Sequence, residues 1–412
     1  MLSPSPFACS STSPSVHVAH GGGAYVNTRR ALASVALAAV RGKRVLLKPN
    51  LGRIAGPGSG IVTHPDVIAA AIDTFREAGA DVAVGESPIV GVDMQEAFRT
   101  AGVASVATGR SCPLIDMDRR RCVELPVPEG RVVRTLRVCP EVLEFDVLVS
   151  VPVMKMHMHT GVSLAVKNMK GCLWRRSKVE FHMLPPVAGS GEKPIDLAIA
   201  DMASVLRPHL AIIDGTYGME GLGPSAGQPK PLDAVVVSAD AFAADAVACQ
   251  LMGTAAERIP HLRLGAERGH GVIDLSRLAV TPGDWRRWVA PFAPPPDNLT
   301  IQFPNITVWD EQSCSACQST LLLFLKRYQD RIFDYFPPGA TVHVAIGKGG
   351  PDLPQGTLLI GNCTAQQRGK GTFVPGCPPV GSQILDALAG QLRPDEAKAA
   401  GPPGEEPATS PP

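Results

Sequence analysis

The sequence predicts an α/β fold: a mainly parallel sheet covered by helices, with a second, smaller α/β domain that carries cysteines. The first indication is that apolar strands alternate with helical patterns from about Ser15 to Gly253. The second is a Pro- and Trp-rich break at about 282–298, after which a new series of strands and helices begins. A chain of 412 residues, 45% of them hydrophobic, is long enough to form two or three domains.

The first βαβ unit comprises a strand at Arg44–Asn50, a helix at His64–Ala80 and a strand at Asp81–Ser87. The helix has a proline in its first turn and a glycine near its end, which are common start and stop signals. Further strands are predicted at Phe145–Val153, His209–Gly215 and Asp233–Asp240, and further helices at Pro194–Leu206 and Ala241–Met252.

Four segments follow from this pattern. We expect a weakly ordered leader at 1–14, an α/β domain at 15–297, a cysteine-bearing α/β domain at 298–392 and a disordered tail at 393–412. The second domain is predicted from "LTIQFPNITVW", the helical run "LLLFLKRYQDRIFDYF", the strands in "TVHVAIGKG" and "QGTLLIGN", and the closing helix "GSQILDALAGQL".

Charge and apolar patterning exclude two classes of partner. Lys and Arg number 39 against 38 Asp and Glu, so no general attraction to nucleic acid or to an anionic membrane is expected. No apolar run approaches the roughly 18 to 20 residues that cross a bilayer, and the N-terminus lacks the pattern of a secretory signal. The ten cysteines are scattered rather than dense, which favours a reducing, cytoplasmic location.

Four of the cysteines form a candidate metal site: Cys314, Cys317, Cys363 and Cys377. Each lies at the end of a predicted strand or the start of a helix, the edge where ligands collect in an open α/β sheet. Four thiolates suit a 4Fe-4S cluster or tetrahedral zinc. One C-x-x-C pair with two distant single cysteines favours the iron-sulfur cluster, with zinc and unliganded cysteines as alternatives. The other six cysteines show no ligand spacing.

A polar edge in the first domain forms a second candidate site. The proposed catalytic residues are His64, Lys155, His157 and Lys167, and the proposed substrate-binding residues are Lys48, Asn50, Glu86, Asn168 and Asp214. Cations and amides at the mouth of a parallel sheet are expected to bind an anionic small molecule. Thr63 can alternatively be the N-cap of a helix with His64 in its first turn, and the roles of His159 and His182 stay open.

The motifs "VLLKPN", "THPDVI", "VPVMKMHMHTGVSLAVKNMKG", "IIDGTYGMEGLGPSAG" and "SADAFAADAVA" resemble the family known as domain of unknown function 362, over roughly residues 44–253. Members of that family are often joined to ferredoxin-type cluster modules, so the resemblance implies redox work without naming a substrate. This chain departs from that form, because it has no C-x-x-C-x-x-C run.

The motif "VPGCPP" resembles the one that carries a cluster cysteine in the small cluster-bearing subunit of NADH:quinone oxidoreductase and in related hydrogenase small subunits. The resemblance covers a few residues and implies a ligand role for Cys377 alone. The rest of that family's cysteine pattern is not matched.

The leading hypothesis is therefore an iron-sulfur oxidoreductase or electron-transfer protein that passes electrons to an anionic small molecule or to a redox partner protein. A non-redox isomerase or racemase, with His64 and His157 as acid and base and a structural metal domain, is the alternative. A protein that carries a metal cluster to a partner is a third possibility. The glycines of 215–227 leave a flavin open, although no G-x-G-x-x-G or P-loop motif is present.

Overall fold

The computed structural model of the chain describes residues 2, 4–7, 13–185, 187–295, 303–311, 313–348 and 352–390. The chain divides into two compact units, residues 1–297 and residues 298–412. The predicted tail at 393–412 lies outside the described residues, as do residues 1, 3 and 8–12 of the predicted leader. In the described part of that leader, Phe7 is buried in the core of the N-terminal unit.

The strands of the N-terminal unit are β1 Ser15–His20, β2 Arg44–Pro49, β3 Asp81–Glu86, β4 Leu114–Asp116, β5 Val123–Pro126, β6 Thr135–Val138, β7 Val147–Val151, β8 Val153–His157, β9 Gly161–Ser163, β10 Leu210–Glu220, β11 Gln228–Ser238 and β12 Ala279–Thr281. Its α-helices are α1 Gly23–Leu32, α2 Pro65–Glu77, α3 Met94–Thr100, α4 Val103–Thr108, α5 Glu141–Glu144, α6 Ala165–Asn168, α7 Ser177–Glu180, α8 Pro194–Val205, α9 Ala241–Leu251 and α10 Pro260–Glu267. Short 3-10 helices occupy Leu37–Val40, Met169–Cys172, Ala256–Arg258, Leu275–Arg277 and Trp285–Trp288.

The C-terminal unit contains β13 Ile306–Glu311, α11 Ser315–Ile332, β14 Val342–Gly347, β15 Leu358–Ile360, β16 Phe373–Val374 and α12 Gly381–Leu388. Its 3-10 helices are Phe333–Tyr335 and Asn362–Lys370.

One large sheet organises the N-terminal unit. Among the described residues it has ten strands, eight of them in the order β12-β1-β11-β10-β7-β2-β3-β4, while β8 pairs with β10 and β9. The five strands from β10 to β4 are parallel to one another. The strand β11 is antiparallel to both β10 and β1. The carboxyl ends of β10, β7, β2 and β3 therefore meet at one edge.

Helices cover both faces of this sheet. Val45 and Leu47 of β2 lie in one apolar core with residues of α1 and α2, whereas Leu46 lies in the other core with residues of α8 and α9. Successive side chains of a strand point to opposite faces of the sheet. Because both faces are buried here, the strands must be apolar at nearly every position, and β2 has that composition. This arrangement confirms the predicted α/β class with a mainly parallel sheet.

The helix α2 shows how sequence signals set the element boundaries. Its N-cap is His64, whose Nδ1 accepts the backbone N–H of Asp66 at 3.3 Å, and Pro65 follows at the first helical position. Gly79, two residues beyond its end, has φ +86°, a conformation that glycine adopts without a steric penalty. The N-cap is thus His64, and the alternative assignment of that role to Thr63 was wrong.

The C-terminal unit is built on a four-stranded parallel sheet in the order β13-β14-β15-β16. Residues of α11 and α12 pack with Val344, Ile346 and Leu358 in one core. A smaller cluster, which includes Ala345 and Leu359, occupies the other face. Because all four strands run the same way, the loops that follow them lie at one edge.

Two predicted strands differ from those observed. The single strand predicted at Phe145–Val153 is two strands, β7 and β8, because Pro152 lacks a backbone N–H and interrupts the pairing between them. The strand predicted at His209–Gly215 extends to Glu220, since its glycines pack closely instead of ending it. None of the helices in the described ranges combines the length and the apolar character that a membrane span requires.

Candidate functional site

Polar side chains gather at the carboxyl edge of the N-terminal sheet, where β2, β3 and β10 end and β7 continues into β8. Lys48 lies near the end of β2, Glu86 at the end of β3, and Lys155 and His157 lie on β8. Lys167 and Asn168 lie on α6, a one-turn helix that follows β9. These predicted residues therefore meet at one edge, as parallel topology requires.

Lys48 and Glu86 form a buried ion pair at this edge. Both side chains are 1% exposed, and Lys48 Nζ lies 2.8 Å from Glu86 Oε2 and 3.2 Å from Asn168 Oδ1. The carboxylate also accepts the backbone N–H groups of Leu51 and Ser87, each at 2.9 Å. With its partners in place this pair joins the ends of β2 and β3 to α6, so its visible role is structural.

The short helix α6 is fixed at both ends. Asp245 of α9 accepts the backbone N–H groups of Ala165 at 2.7 Å and Val166 at 3.0 Å, which caps the first turn. At the other end, Asn168 Nδ2 donates to Ser150 Oγ at 3.0 Å. Burial raises the pKa of Asp245 to about 8 despite these two bonds. Lys167 is thus presented from a rigid turn.

Lys155 ties the loop after β2 to β8. Its ammonium donates to Asn50 Oδ1 and to the carbonyl oxygen of Ile61, which stand on either side of that loop. Burial, reinforced by the neighbouring cations Lys167 and Arg53, holds the pKa of Lys155 well below its usual range. Asn50, predicted to bind substrate, is an acceptor for this lysine.

His157 is buried in a defined orientation. Its Nδ1 accepts the backbone N–H of His159 at 3.1 Å and that of Thr160 at 3.4 Å. Burial and the charge of Lys167 hold the pKa of His157 well below its usual range. The neutral ring with an acceptor at Nδ1 carries its proton on Nε2, so Nε2 is a hydrogen-bond donor.

Lys167 differs from Lys48 and Lys155 in its bonding. Its side chain is 8% exposed, and within the described residues its ammonium forms no hydrogen bond or ion pair. Burial lowers the pKa of Lys167 to about 8, and the carboxylate of Asp196 opposes that shift. This lysine can therefore gain and lose a proton near neutral pH.

The remaining histidines of the β8 region belong to the same cluster. The rings of His157 and His159 have centroids 5.9 Å apart, and Lys170 Nζ contacts His182 Nε2. Burial and the charge of Lys170 hold the pKa of His182 well below its usual range. His159 and His182 therefore both lie near His157 and Lys167, and their roles stay open.

His64 and Asp214 occupy a different position. The backbone N–H of His64 donates to Asp214 Oδ2 at 2.7 Å, and the His64 ring caps α2. Burial raises the pKa of Asp214, which also accepts the backbone N–H of Thr216 at 2.9 Å. The visible role of both residues is to join β10 to the start of α2.

The glycine-rich stretch at 215–227 spans the end of β10 and the turn into β11. A Cβ atom on Gly218 would lie 2.4 Å from Phe292, and one on Gly223 would lie 1.8 Å from the carbonyl oxygen of Met156. Close backbone packing against β8 therefore explains these glycines.

Three polar features of the N-terminal unit were missed in the sequence. Arg53 lies in the loop after β2, and the sequence signal was its place beyond the strand end in "KPNLGR". Asp196 and His261 form a fully buried pair with 3.3 Å between Oδ1 and Nδ1. They lie on α8 and α10, far apart in sequence, and no spacing rule joins them. Asp245 was missed as well, because in the sequence it is a single polar residue within an apolar helix.

In the C-terminal unit, Cys314 is the N-cap of α11. A hydrogen bond from the Cys317 thiol and bonds from the backbone N–H groups of Cys317 and Ala316 lower the pKa of Cys314 to about 6. Helix N-termini stabilise thiolates in this way. The sequence prediction that this pair opens a helix is matched by α11.

The other two predicted ligands follow β15 and β16. Cys363 is exposed and Cys377 is half-buried. The bond to Cys314, burial and then the charges of Cys314, Cys377 and Cys363 raise the pKa of Cys317, so all three thiols lie close enough to act on it. Gly376 has φ +140°, and a Cβ there would lie 2.7 Å from Pro379 N, which explains the glycine before Cys377.

The arrangement of the four predicted cysteine ligands bears on the metal site. In the described residues no group of three or more His, Cys, Asp or Glu side chains has the arrangement that holds a metal ion. The cluster expected on Cys314, Cys317, Cys363 and Cys377 therefore stays a prediction.

Comparison with known proteins gives a family match and three more distant similarities. A family model described as a domain of unknown function, DUF362, matches residues 45–250, half of the chain. A thylakoid-associated protein of Synechocystis sp. is 31% identical over 228 residues, and the match covers 53% of this chain and 66% of that protein, just under two thirds of its length.

Two solved structures are more distant. The lactate racemase apoprotein from Thermoanaerobacterium thermosaccharolyticum is 15% identical with a TM-score of 0.39, covering 60% of this chain and 58% of that one. A protein from Thermotoga maritima is 14% identical with a TM-score of 0.33, covering 51% and 54%. Similarities this low do not bear on the chemistry of the site.

Proposed function

The chain belongs to the DUF362 family, and we propose that its N-terminal unit is an enzyme that binds a small anion and moves a proton on it. The observation that carries the proposal is Lys167, a buried ammonium without a hydrogen-bond partner in the described residues and with a pKa of about 8. Folding a lysine into such a position costs stability, so a use for it is expected.

The surrounding charges favour an anionic ligand. Lys155, Lys170 and Arg53 lie in the same cluster as Lys167. The charges of Lys167 and Arg53 lower the pKa of Lys155, and the charge of Lys167 lowers the pKa of Lys170. Cationic groups this close together and this buried lower one another's pKa, and an anion bound among them would favour their charged forms.

The reaction class follows from the protonation states of two residues. Neutral Lys167 can take a proton from the carbon next to a carboxylate or carbonyl group, and the electron pair of that C–H bond moves onto the oxygen. His157, neutral and protonated at Nε2, can donate a hydrogen bond to that developing oxyanion. Return of the proton from Lys167 regenerates an acid or its isomer with no net oxidation. Lys167 thus takes the place of His64 in the acid and base pair that the sequence analysis assigned to His64 and His157.

The test is exchange of solvent deuterium into 2-hydroxy, 2-oxo and dicarboxylic acids, followed by proton NMR. We expect the wild-type chain to exchange the α-hydrogen of at least one acid and Lys167→Met to lose that exchange. The control is Lys230→Met, because Lys230 is already bonded to Glu220 at 3.0 Å on the same unit. A wild-type chain that exchanges no acid in the set, or a Lys167→Met variant that exchanges normally, sinks the proposal.

A second proposal concerns the C-terminal unit, where the convergence of three thiols on Cys317 supports a 4Fe-4S cluster. Cys314, Cys317, Cys363 and Cys377 are the proposed ligands. When bound, such a cluster supplies single-electron transfer, to the anion of the N-terminal unit or to a redox partner protein.

This proposal is tested by anaerobic purification with assays of iron, sulfide and zinc, and by the visible spectrum before and after dithionite. We expect near four irons and four sulfides per chain, and a broad absorbance that bleaches. Cys377→Ser should lose the iron, whereas Cys122→Ser, which changes a half-buried thiol of the N-terminal unit, should keep it. One zinc without colour contradicts the cluster and makes the metal structural.

A further inference from the structure

Arg53 is a second cation in the N-terminal site without a partner. It lies in the glycine-rich loop at 51–62, between β2 and α2, and is half-buried. Its guanidinium forms no hydrogen bond or ion pair within the described ranges, and burial lowers the pKa of Arg53 to about 10. A guanidinium group has five N–H donors in one plane. When no protein group accepts from it, it can bind a carboxylate or phosphate through two parallel hydrogen bonds.

The carboxylates near this cluster form no ion pair with Arg53 or Lys167. Glu86 is paired with Lys48 at 2.8 Å. Asp196 Oδ1 faces His261 at 3.3 Å, and its buried Oδ2 has no hydrogen-bond partner in the described residues. Asp214 accepts backbone N–H groups at the start of α2 and on β10. Arg53 and Lys167 are therefore two cationic groups at one edge that no described side chain pairs, and a ligand with two anionic groups can pair with both.

Contacts place Arg53 and Lys170 in different parts of the cluster. Arg53 belongs to the loop that Lys155 holds through Asn50 and Ile61, whereas Lys170 follows α6 and contacts His182. Lys167 lies on α6, and its charge acts on Lys155 as well as on His182, so it is near both parts. An acid with an anionic group at each end would present its middle carbons to Lys167.

We propose that the N-terminal site binds a small acid with two anionic groups, a dicarboxylate or a phosphorylated carboxylate, and that Arg53 grips the group farther from Lys170. This inference rests on the proposed function and specifies its substrate class. It also assigns a binding role to the loop at 51–62, in which Gly60 packs so closely on β10 that a Cβ there would lie 2.4 Å from the carbonyl oxygen of Gly218.

The experiment is calorimetric titration of the full chain with propionate, malonate, succinate, glutarate and phosphoglycolate at constant ionic strength. We expect at least one dianion to bind about ten-fold or more tightly than propionate, the gain of a charge-assisted bidentate contact. Arg53→Gln should bring that dianion to the level of propionate and leave propionate unchanged. Arg53→Lys should recover part of the difference, and Arg99→Gln, an exposed arginine of α3, should change nothing.

Dianions that bind no more tightly than propionate overturn the inference, and so does an Arg53→Gln variant that weakens both classes equally. Thermal melting of each variant checks folding, and Arg53, lacking hydrogen bonds, should be replaceable without loss of structure. The two proposals fail separately: Arg53-dependent binding of a dianion without deuterium exchange removes the catalytic proposal alone. Exchange on monoanions only, independent of Arg53, removes this inference alone.

Discussion

Two lysines at one edge of the N-terminal sheet, Lys48 and Lys167, have opposite surroundings. Lys48 is 1% exposed and bonded to a carboxylate, an amide and a backbone carbonyl. Lys167 is 8% exposed and, in the described chain, bonded to nothing. Both are buried lysines at the same edge, yet the protein supplies partners for one and, in the described residues, none for the other. The number of hydrogen bonds, rather than burial or position, is the ground on which we propose a structural role for Lys48 and a ligand-binding role for Lys167.

The largest expected effect is on the satisfied lysine. Lys48→Met leaves the Glu86 carboxylate buried without its counter-ion, which costs about 3–5 kcal/mol of the free energy of unfolding. Urea unfolding followed by tryptophan fluorescence measures this, because Trp174, Trp285 and Trp288 all lie in the N-terminal unit. Lys48→Met combined with Glu86→Leu should lose less than Lys48→Met alone, and a single variant of wild-type stability contradicts the structural assignment.

Lys167→Met should move stability the other way. Removing a desolvated ammonium whose pKa has fallen from 10.5 to about 8 stabilises the fold at pH 7 by up to about 3 kcal/mol. The same urea titration tests this, with Lys230→Met as the control, a half-buried lysine that is paired with Glu220. A loss of stability comparable to that of Lys48→Met would show that Lys167 has a structural partner, and the comparison between the two lysines would fail.

The pH dependence sharpens the contrast further. The folded pKa of Lys167, about 8, lies below its value of 10.5 in the unfolded chain, so the folded state binds fewer protons between those values. The contribution of Lys167 to the free energy of unfolding therefore falls as the pH decreases from 10.5 to 8, and it stays constant below pH 8. Deuterium exchange, which needs the neutral amine, should rise with pH through an apparent pKa near 8. A rise centred near 10.5 would mean that Lys167 is not the base.

The smallest effect should come from the residue that holds α6. Asp245→Asn keeps one acceptor for the backbone N–H groups of Ala165 and Val166 and loses the other, a change of about 1 kcal/mol. We expect kcat for exchange to fall with little change in KM, since Lys167 would be less firmly placed. A variant that loses binding but not kcat would show that Asp245 acts on the ligand pocket instead.

The fold was largely predictable from local patterns. The boundaries of β2, α2 and β3 were predicted within three residues, because apolar runs, Pro65 and Gly79 all act locally. The split between β7 and β8 was missed, since Pro152 inside an apolar run was taken as part of a single strand.

That the polar residues meet at one edge of the sheet was predictable, but the partners of each side chain were not. Strand ends in a parallel sheet are readable from sequence, so Lys48, Lys155 and Lys167 were all selected as candidates. The sequence does not tell which of these lysines bonds to a carboxylate or an amide and which has no bonding partner, because those partners come from other strands and helices. Asp196 and His261 show the same limit, as they meet only after α8 and α10 pack together.

The bonds from Lys155 to Asn50 and Ile61 have a mechanical consequence for the loop that carries Arg53. One ammonium fastens both ends of the loop, so the segment between them forms a small closed ring anchored to β8. Such a ring can change shape without disturbing the sheet beneath it, and ordering it on a ligand costs less entropy than ordering an open loop of equal length. Release of that anchor by Lys155→Met should appear as faster amide hydrogen exchange within 51–60, while exchange in β2 stays slow.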